Sequence, residues 1–113
     1  MRLESKKYLY DVLQAGRNLR QFTEAKGFPD YQADAQLRSA TERQFEINGE
    51  ALRRLSNEDP TTVARISEYE RIISFRNILI HGYAEVDDRI VWDVLQSKLP
   101  MLVQQVEALL EED

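Results

Sequence analysis

The chain has no cysteine and a single histidine, His81. Without thiols it can form neither disulfides nor a thiolate metal site, which suits a reducing compartment. One imidazole with no Cys falls short of the ligand set that a zinc ion needs, and no cofactor is expected. Glycine and proline are scarce, four and three in 113 residues, so the composition is not that of a disordered chain. The longest purely aliphatic run, Ile78-Leu79-Ile80, is only three residues. A membrane span needs about 20, so none is expected. No charged-then-apolar leader precedes Tyr8, and the expectation is a cytoplasmic protein. Positive charge is also short overall. A net charge of −5 and a pI near 4.9 argue against a protein that coats nucleic acid with dispersed basic residues.

What is present suffices for one core. With 42% hydrophobic residues in 113, residues 1–113 are expected to form a single domain. The apolar positions keep helical periods and never alternate for long. Tyr8, Val12, Ala15, Leu19 and Phe22 predict a first helix from about Ser5 to Lys26, ended by Gly27-Phe28-Pro29-Asp30. A second helix starts at Asp34 or an earlier acid, carries Leu37, Phe45, Leu52 and Leu55, and ends near Ser56-Asn57. Pro60-Thr61 opens a third, since Pro is tolerated in a first turn. A last segment aligns Trp92, Leu95, Leu99, Leu102, Val106 and Leu109. Pro100 lies either inside its first turn or at a break between a short helix and a longer one. The expected fold class is all-α, an up-down bundle of four main helices with room for a short fifth.

The third helix runs into Arg76-Asn77-Ile78-Leu79-Ile80-His81-Gly82-Tyr83. Gly82 predicts the helix end, which puts His81 in the last turn. Ser74, Asn77 and His81 fall at i, i+3 and i+7, a polar stripe on an otherwise apolar helix. Imidazole moves protons near pH 7, and a guanidinium holds a phosphate through its donor fork. Arg and His together point to chemistry on a phosphodiester. The spacing alone is weak, because eleven residues are Arg, and a lone His near a helix end also serves as a C-terminal cation for the macrodipole. The Arg bias, eleven against four Lys, permits local positive charge from Arg17, Arg20, Arg53, Arg54, Arg71 and Arg76, or simply solvated side chains.

The second helix contains Glu46-Ile47-Asn48-Gly49-Glu50-Ala51. A mid-helix Gly costs about 1 kcal/mol against Ala, and it usually admits another backbone. Asn48, and Glu46 with Glu50 at i,i+4, are candidate acceptors for a guanidinium such as Arg76 from the facing helix. A solvated acidic face is the alternative.

The order of a Tyr-Leu-Tyr-Asp-Val-Leu helix, Ile47-Asn48-Gly49-Glu50-Ala51, Phe75-Arg76-Asn77-Ile78-Leu79-Ile80-His81-Gly82-Tyr83, Ile90-Val91-Trp92 and Lys98-Leu99-Pro100 resembles the HepT-like toxins of the HEPN superfamily over nearly the whole chain. The Arg-polar-x-x-x-His motif is shared across HEPN ribonucleases, and the Tyr two residues after His is more specific to HepT-type members. Asn48 departs from an expected aliphatic residue, and Pro60-Thr61 from an expected Pro-Trp pair. The resemblance implies a HEPN-type bundle and a metal-independent endoribonuclease. It also implies a toxin with its site in a homodimer cleft, where Arg76 and His81 are catalytic and Asn77 supports them. Glu46, Asn48, Glu50 and Ser74 are candidates for a supporting shell. Tyr83 matches the tyrosine to which a cognate minimal nucleotidyltransferase antitoxin adds AMP, placing negative charge where RNA must approach.

RNA carries its own nucleophile, the 2′-hydroxyl, so cleavage needs a base, an acid and a cation. One chain has one imidazole, so an acid–base pair of imidazoles requires a two-fold axis. Alternatively, one His works alone while Arg76 and Asn77 hold the phosphate. On an ideal helix Arg76 and His81 point about 140° apart, so they converge only if Arg76 reaches around the helix end or the partner contributes one of them. The alternatives are a non-catalytic module that binds a nucleotide or partner, and a helical adaptor without a site.

Overall fold

Apolar residues stepping by three and four become helices wherever the sequence sustains them. The computed structural model describes residues 1–82 and 86–112. The helices are α1 (Leu3–Thr23), α2 (Phe28–Ala33), α3 (Ala35–Glu58), α4 (Pro60–Val63), α5 (Tyr69–Gly82), α6 (Asp88–Ser97) and α7 (Leu99–Glu111). No strand occurs among the described residues, so the fold is all-α as expected. α3 is the central helix, packed along α1 on one side and α5 on another, while α7 lies against α1 and α6. Leu9, Leu19, Phe45, Leu52, Leu55 and Val106 are wholly enclosed in one contiguous cluster. Burying one such side chain is worth about 1.5–3 kcal/mol, against about 0–1 kcal/mol for an exposed ion pair. The core therefore holds the bundle, and the surface pairs tune it.

Two boundaries differ from the sequence expectation, and a third resolves it. The stretch read as a break after α1 contains α2, because the Gly27 N–H donates to Asp30 Oδ2 at 2.8 Å and Tyr31 is wholly buried beside Trp92, ring centroids 5.5 Å apart. Tertiary burial converts a turn signal into a short helix. The helix carrying the Arg–His motif starts at Tyr69, not at Pro60. Asp59 caps the short α4 by accepting from the Thr62 N–H, and the chain then turns, with Glu68 in the left-handed region at φ 58°. The side chain of Gln105 accepts from the Ser67 N–H at 2.8 Å, taking a donor that a continuous helix would have satisfied. Ile66 is buried from within this turn, which explains why it kept the apolar period without being helical. In the last segment, Lys98 separates α6 from α7 and Pro100 sits in the first turn of α7, so both sequence readings of Pro100 hold together.

α1 is fastened to the far end of α3. Ser5, almost fully buried, donates to Asp59 Oδ2 at 2.6 Å, and the Tyr8 hydroxyl donates to the Glu58 carboxylate. The Asp59 carboxyl is lowered by hydrogen bonds from Ser5 and then Thr62. No described helix is long and apolar enough to cross a membrane.

Candidate active site

α3 and α5 cross at Gly49, where an added Cβ would stand 2.2 Å from Arg76 Cβ and 3.2 Å from the Ile72 carbonyl oxygen. Only glycine fits there, so the mid-helix Gly is the device that lets the two helices close. The approach delivers Arg76, whose side chain is 22% exposed, onto Glu50: Nη2 donates to Glu50 Oε2 at 2.7 Å. Nη1 donates to Asn77 Oδ1 at 2.8 Å. Arg76 Nε is buried without a hydrogen-bond partner among the described residues. A guanidinium held at both terminal nitrogens has little rotamer freedom left to lose when it meets an anion.

Glu50 serves two further arginines. Arg53 Nη2 donates to Oε1 at 2.7 Å, and Arg54 Nε donates to the same oxygen at 3.0 Å. The hydrogen bond from Arg53 is the main cause that depresses the Glu50 carboxyl to about 2, helped by Arg54 and by the charge of Arg76 and opposed by desolvation. Three guanidiniums on one carboxylate leave local positive charge in a chain whose net charge is −5. Of the other arginines read as a possible lining, Arg17 pairs with Glu107 and Arg71 with Glu68.

His81 lies in the last turn of α5, exposed, and among the described residues it makes no hydrogen bond or ion pair. Ser74 and Asn77 are exposed as well. Around α5 the order runs Arg76, Asn77, His81, Ser74, Ile78. The polar stripe therefore has the Arg76–Glu50 clamp on one side and an apolar groove on the other. That groove, about 430 Å³ between α5 and α6, is lined by Phe75, Ile78, Ile90 and Val94 with Ser74 at its edge. Ile78 and Ile90 are 55% and 51% exposed. The remaining shell candidates are elsewhere occupied: Glu46 pairs with Arg43, and Asn48 is enclosed with neither amide atom bonded to protein. Glu50 alone of the four bonds Arg76 among the described residues. Tyr83 lies outside the described residues. No group of three or more His, Cys, Asp or Glu side chains among the described residues is placed to hold a metal ion.

A family model described as Ribonuclease HepT-like matches residues 12–109, most of the chain. The chain belongs to the HepT-like ribonuclease family. Three relatives align with this HepT-like chain over nearly their whole length. A probable ribonuclease HepT of Thermococcus cleftensis is 30% identical over 109 residues, 96% of this chain and 98% of the relative. A Caldanaerobacter subterraneus subsp. tengcongensis protein, provisionally named an RNase, is 31% identical over 106 residues, 94% of each chain. A Methanocaldococcus jannaschii protein named in the same provisional way is 28% identical over 102 residues, 90% of this chain and 93% of the relative. No solved structure matches the chain significantly. Membership of the HepT-like family supports an RNase function.

Proposed function

We propose that the chain is a metal-independent endoribonuclease, cytoplasmic, whose complete site forms where two copies meet, and that it acts as the toxin of a pair with a minimal nucleotidyltransferase. The observation that carries this reading is the exposed Asn77–His81 stripe set between a pre-formed arginine clamp and an exposed apolar groove. The clamp supplies the cation for a phosphorane, His81 supplies proton transfer, and the groove supplies the surface for a second copy of the chain. A second copy is needed because Arg76 and His81 diverge on one helix and because one chain offers one imidazole.

His81 accepts the proton of the 2′-hydroxyl, and the 2′-oxygen forms a bond to phosphorus. The bond from phosphorus to the 5′-oxygen breaks, and that oxygen takes a proton from His81 of the second copy. The products are a 2′,3′-cyclic phosphate and a free 5′-hydroxyl, with no change of oxidation state. Arg76, steered by Glu50 and Asn77, stabilises the extra negative charge of the phosphorane. Transfer of AMP from ATP to the Tyr83 hydroxyl, releasing pyrophosphate, adds phosphate charge two residues from His81 and repels the substrate.

Cleavage of RNA in excess EDTA, with a 2′,3′-cyclic phosphate found by mass spectrometry, tests the reaction. Loss of activity on chelation, or equal cutting of DNA, would overturn it. RNA or nucleotide binding without turnover would assign a non-catalytic module instead. Replacing Ile78 and Ile90 by Glu should convert a dimer into a monomer in light scattering and abolish cleavage, and an unchanged mass would remove the groove from the interface. Incubation with ATP and the nucleotidyltransferase should add AMP to the parent and not to Tyr83→Phe. A Tyr83→Phe variant silenced as readily as the parent would show that the antitoxin acts by binding alone.

A further inference from the structure

A second groove, of about 280 Å³, lies between α1 and α3 and shares Glu50 with the site above. α3 presents Arg43, Glu46, Glu50 and Arg54 to it at helical spacing, and α1 presents Lys7, Tyr8 and Asp11. Glu50 forms the partition: Oε2 takes Arg76 while Oε1 takes Arg54. The two guanidiniums are thus fixed on the two oxygens of a single carboxylate. Arg54 is exposed and lines the groove. Lys7 is also exposed and makes no ion pair among the described residues. The Tyr8 hydroxyl is anchored by Glu58, which keeps the ring as a wall rather than a mobile flap.

We infer that this groove is a second phosphate subsite, in which Arg54 and Lys7 take the phosphate of RNA adjacent to the one held by Arg76. The inference rests on the ribonuclease reading and adds to it a strand path, from the α5 stripe across Glu50 into the α1–α3 groove. A phosphodiester strand fits better than a single anion because the cations come in series, Arg76 and Arg54 on the two oxygens of Glu50 and Lys7 lining the same groove as Arg54. Asp11, Glu46 and Glu50 line the same groove, so an anion is held there by reaching Arg54 and Lys7 and not by a net positive surface. The groove carries the substrate's length and not the reacting bond, so it governs affinity for long RNA.

The test uses the full chain and a 2′-O-methyl octanucleotide, which binds but cannot be cut, against a 2′-O-methyl dinucleotide. Replacing Arg54 and Lys7 together by Gln should shrink the octamer's advantage over the dinucleotide about tenfold. It should also flatten the plot of log Kd against log salt by about 0.7 for each phosphate no longer neutralised. Replacing Arg20 and Lys26 by Gln removes the same charge at the other end of α1 and should leave both quantities as in the parent. An unchanged advantage in the Arg54/Lys7 variant, or an equal loss in the Arg20/Lys26 variant, would overturn the subsite. Displacement of the octamer by poly-glutamate at equal charge would overturn it in favour of an acidic protein partner. An unmodified octamer left uncut by the parent, with the binding differences intact, would remove the ribonuclease reading and keep the subsite.

Discussion

Arg76 and His81 sit five residues apart on one helix in opposite physical circumstances. Arg76 is pressed into the α3–α5 contact, 22% exposed and hydrogen-bonded at both terminal nitrogens. His81 is exposed at the end of α5 with no partner among the described residues. A phosphate-holding cation gains from being immobile before the substrate arrives. A proton-transfer group on a helix end has no such support from its own chain, and its orientation must be supplied by substrate or by a second copy. Under the proposed reading, one half of the site is thus built into the fold, and the other half is completed by a second copy.

The sharpest way to separate the two halves is to remove each side chain. His81→Ala should lower cleavage about 10²–10⁴-fold while changing the unfolding free energy by no more than about 0.5 kcal/mol. Arg76→Ala should lose cleavage as well, but with about 1–3 kcal/mol of destabilisation, since its partner Glu50 loses a charge-assisted hydrogen bond. Single-turnover cleavage with urea unfolding checks both, and equal stability losses would erase the contrast. Next comes Gly49→Ala, which in an open helix would stabilise by about 1 kcal/mol. Here the methyl meets Arg76 Cβ, so a net loss of about 1–3 kcal/mol is expected, and a raised melting temperature would mean that the helices are not closed at that point. Glu50→Gln should then reduce kcat about tenfold with a smaller change in KM, because it leaves Arg76 present and loosens its aim.

The smallest effect is in acid. Folding lowers the Glu50 carboxyl from 4.5 to about 2, so the unfolded chain takes up that proton first. The contribution is complete above about pH 4.5 and disappears as pH falls toward 2. Solvent screening of the exposed Arg53 and Arg54 keeps it to about 1 kcal/mol. The stability difference between the parent and Glu50→Gln should narrow by that amount across this window in acid titrations followed by circular dichroism. A constant difference would mean that Glu50 is not ionically tied in the folded chain.

Much of the fold was legible because burial imposes a period on sequence. Val12, Leu19, Leu52 and Val106 are enclosed, and helical spacing marks them. Gly49 was legible as an anomaly whose physical cost demanded a close neighbour, and Arg76 is that neighbour. The start of α5 was not legible, because Ile66 keeps the helical period from inside a turn closed by Gln105, a residue 38 positions away. α2 was hidden for the converse reason: Gly27 and Pro29 signal a break, and the burial of Tyr31 against Trp92 overrides them. The grouping of Arg53 and Arg54 with Arg76 also depends on two helices crossing, which local spacing cannot report. Their i+3 and i+4 distances from Glu50 were the available clue. Asn48 stands three residues after Phe45 and four before Leu52, and that apolar-face spacing was the sign that it would be enclosed and not turned to Arg76.

The fastening of α1 has a consequence for the order in which the protein is made. Ser5 finds its partner only at Asp59, and Tyr8 only at Glu58. During synthesis from the N-terminus, the first helix therefore emerges with its buried hydroxyl unmatched and its apolar face uncovered until more than half of the chain has been translated. α1 must wait as a solvated, uncommitted segment, and completion of α3 is the event that recruits it.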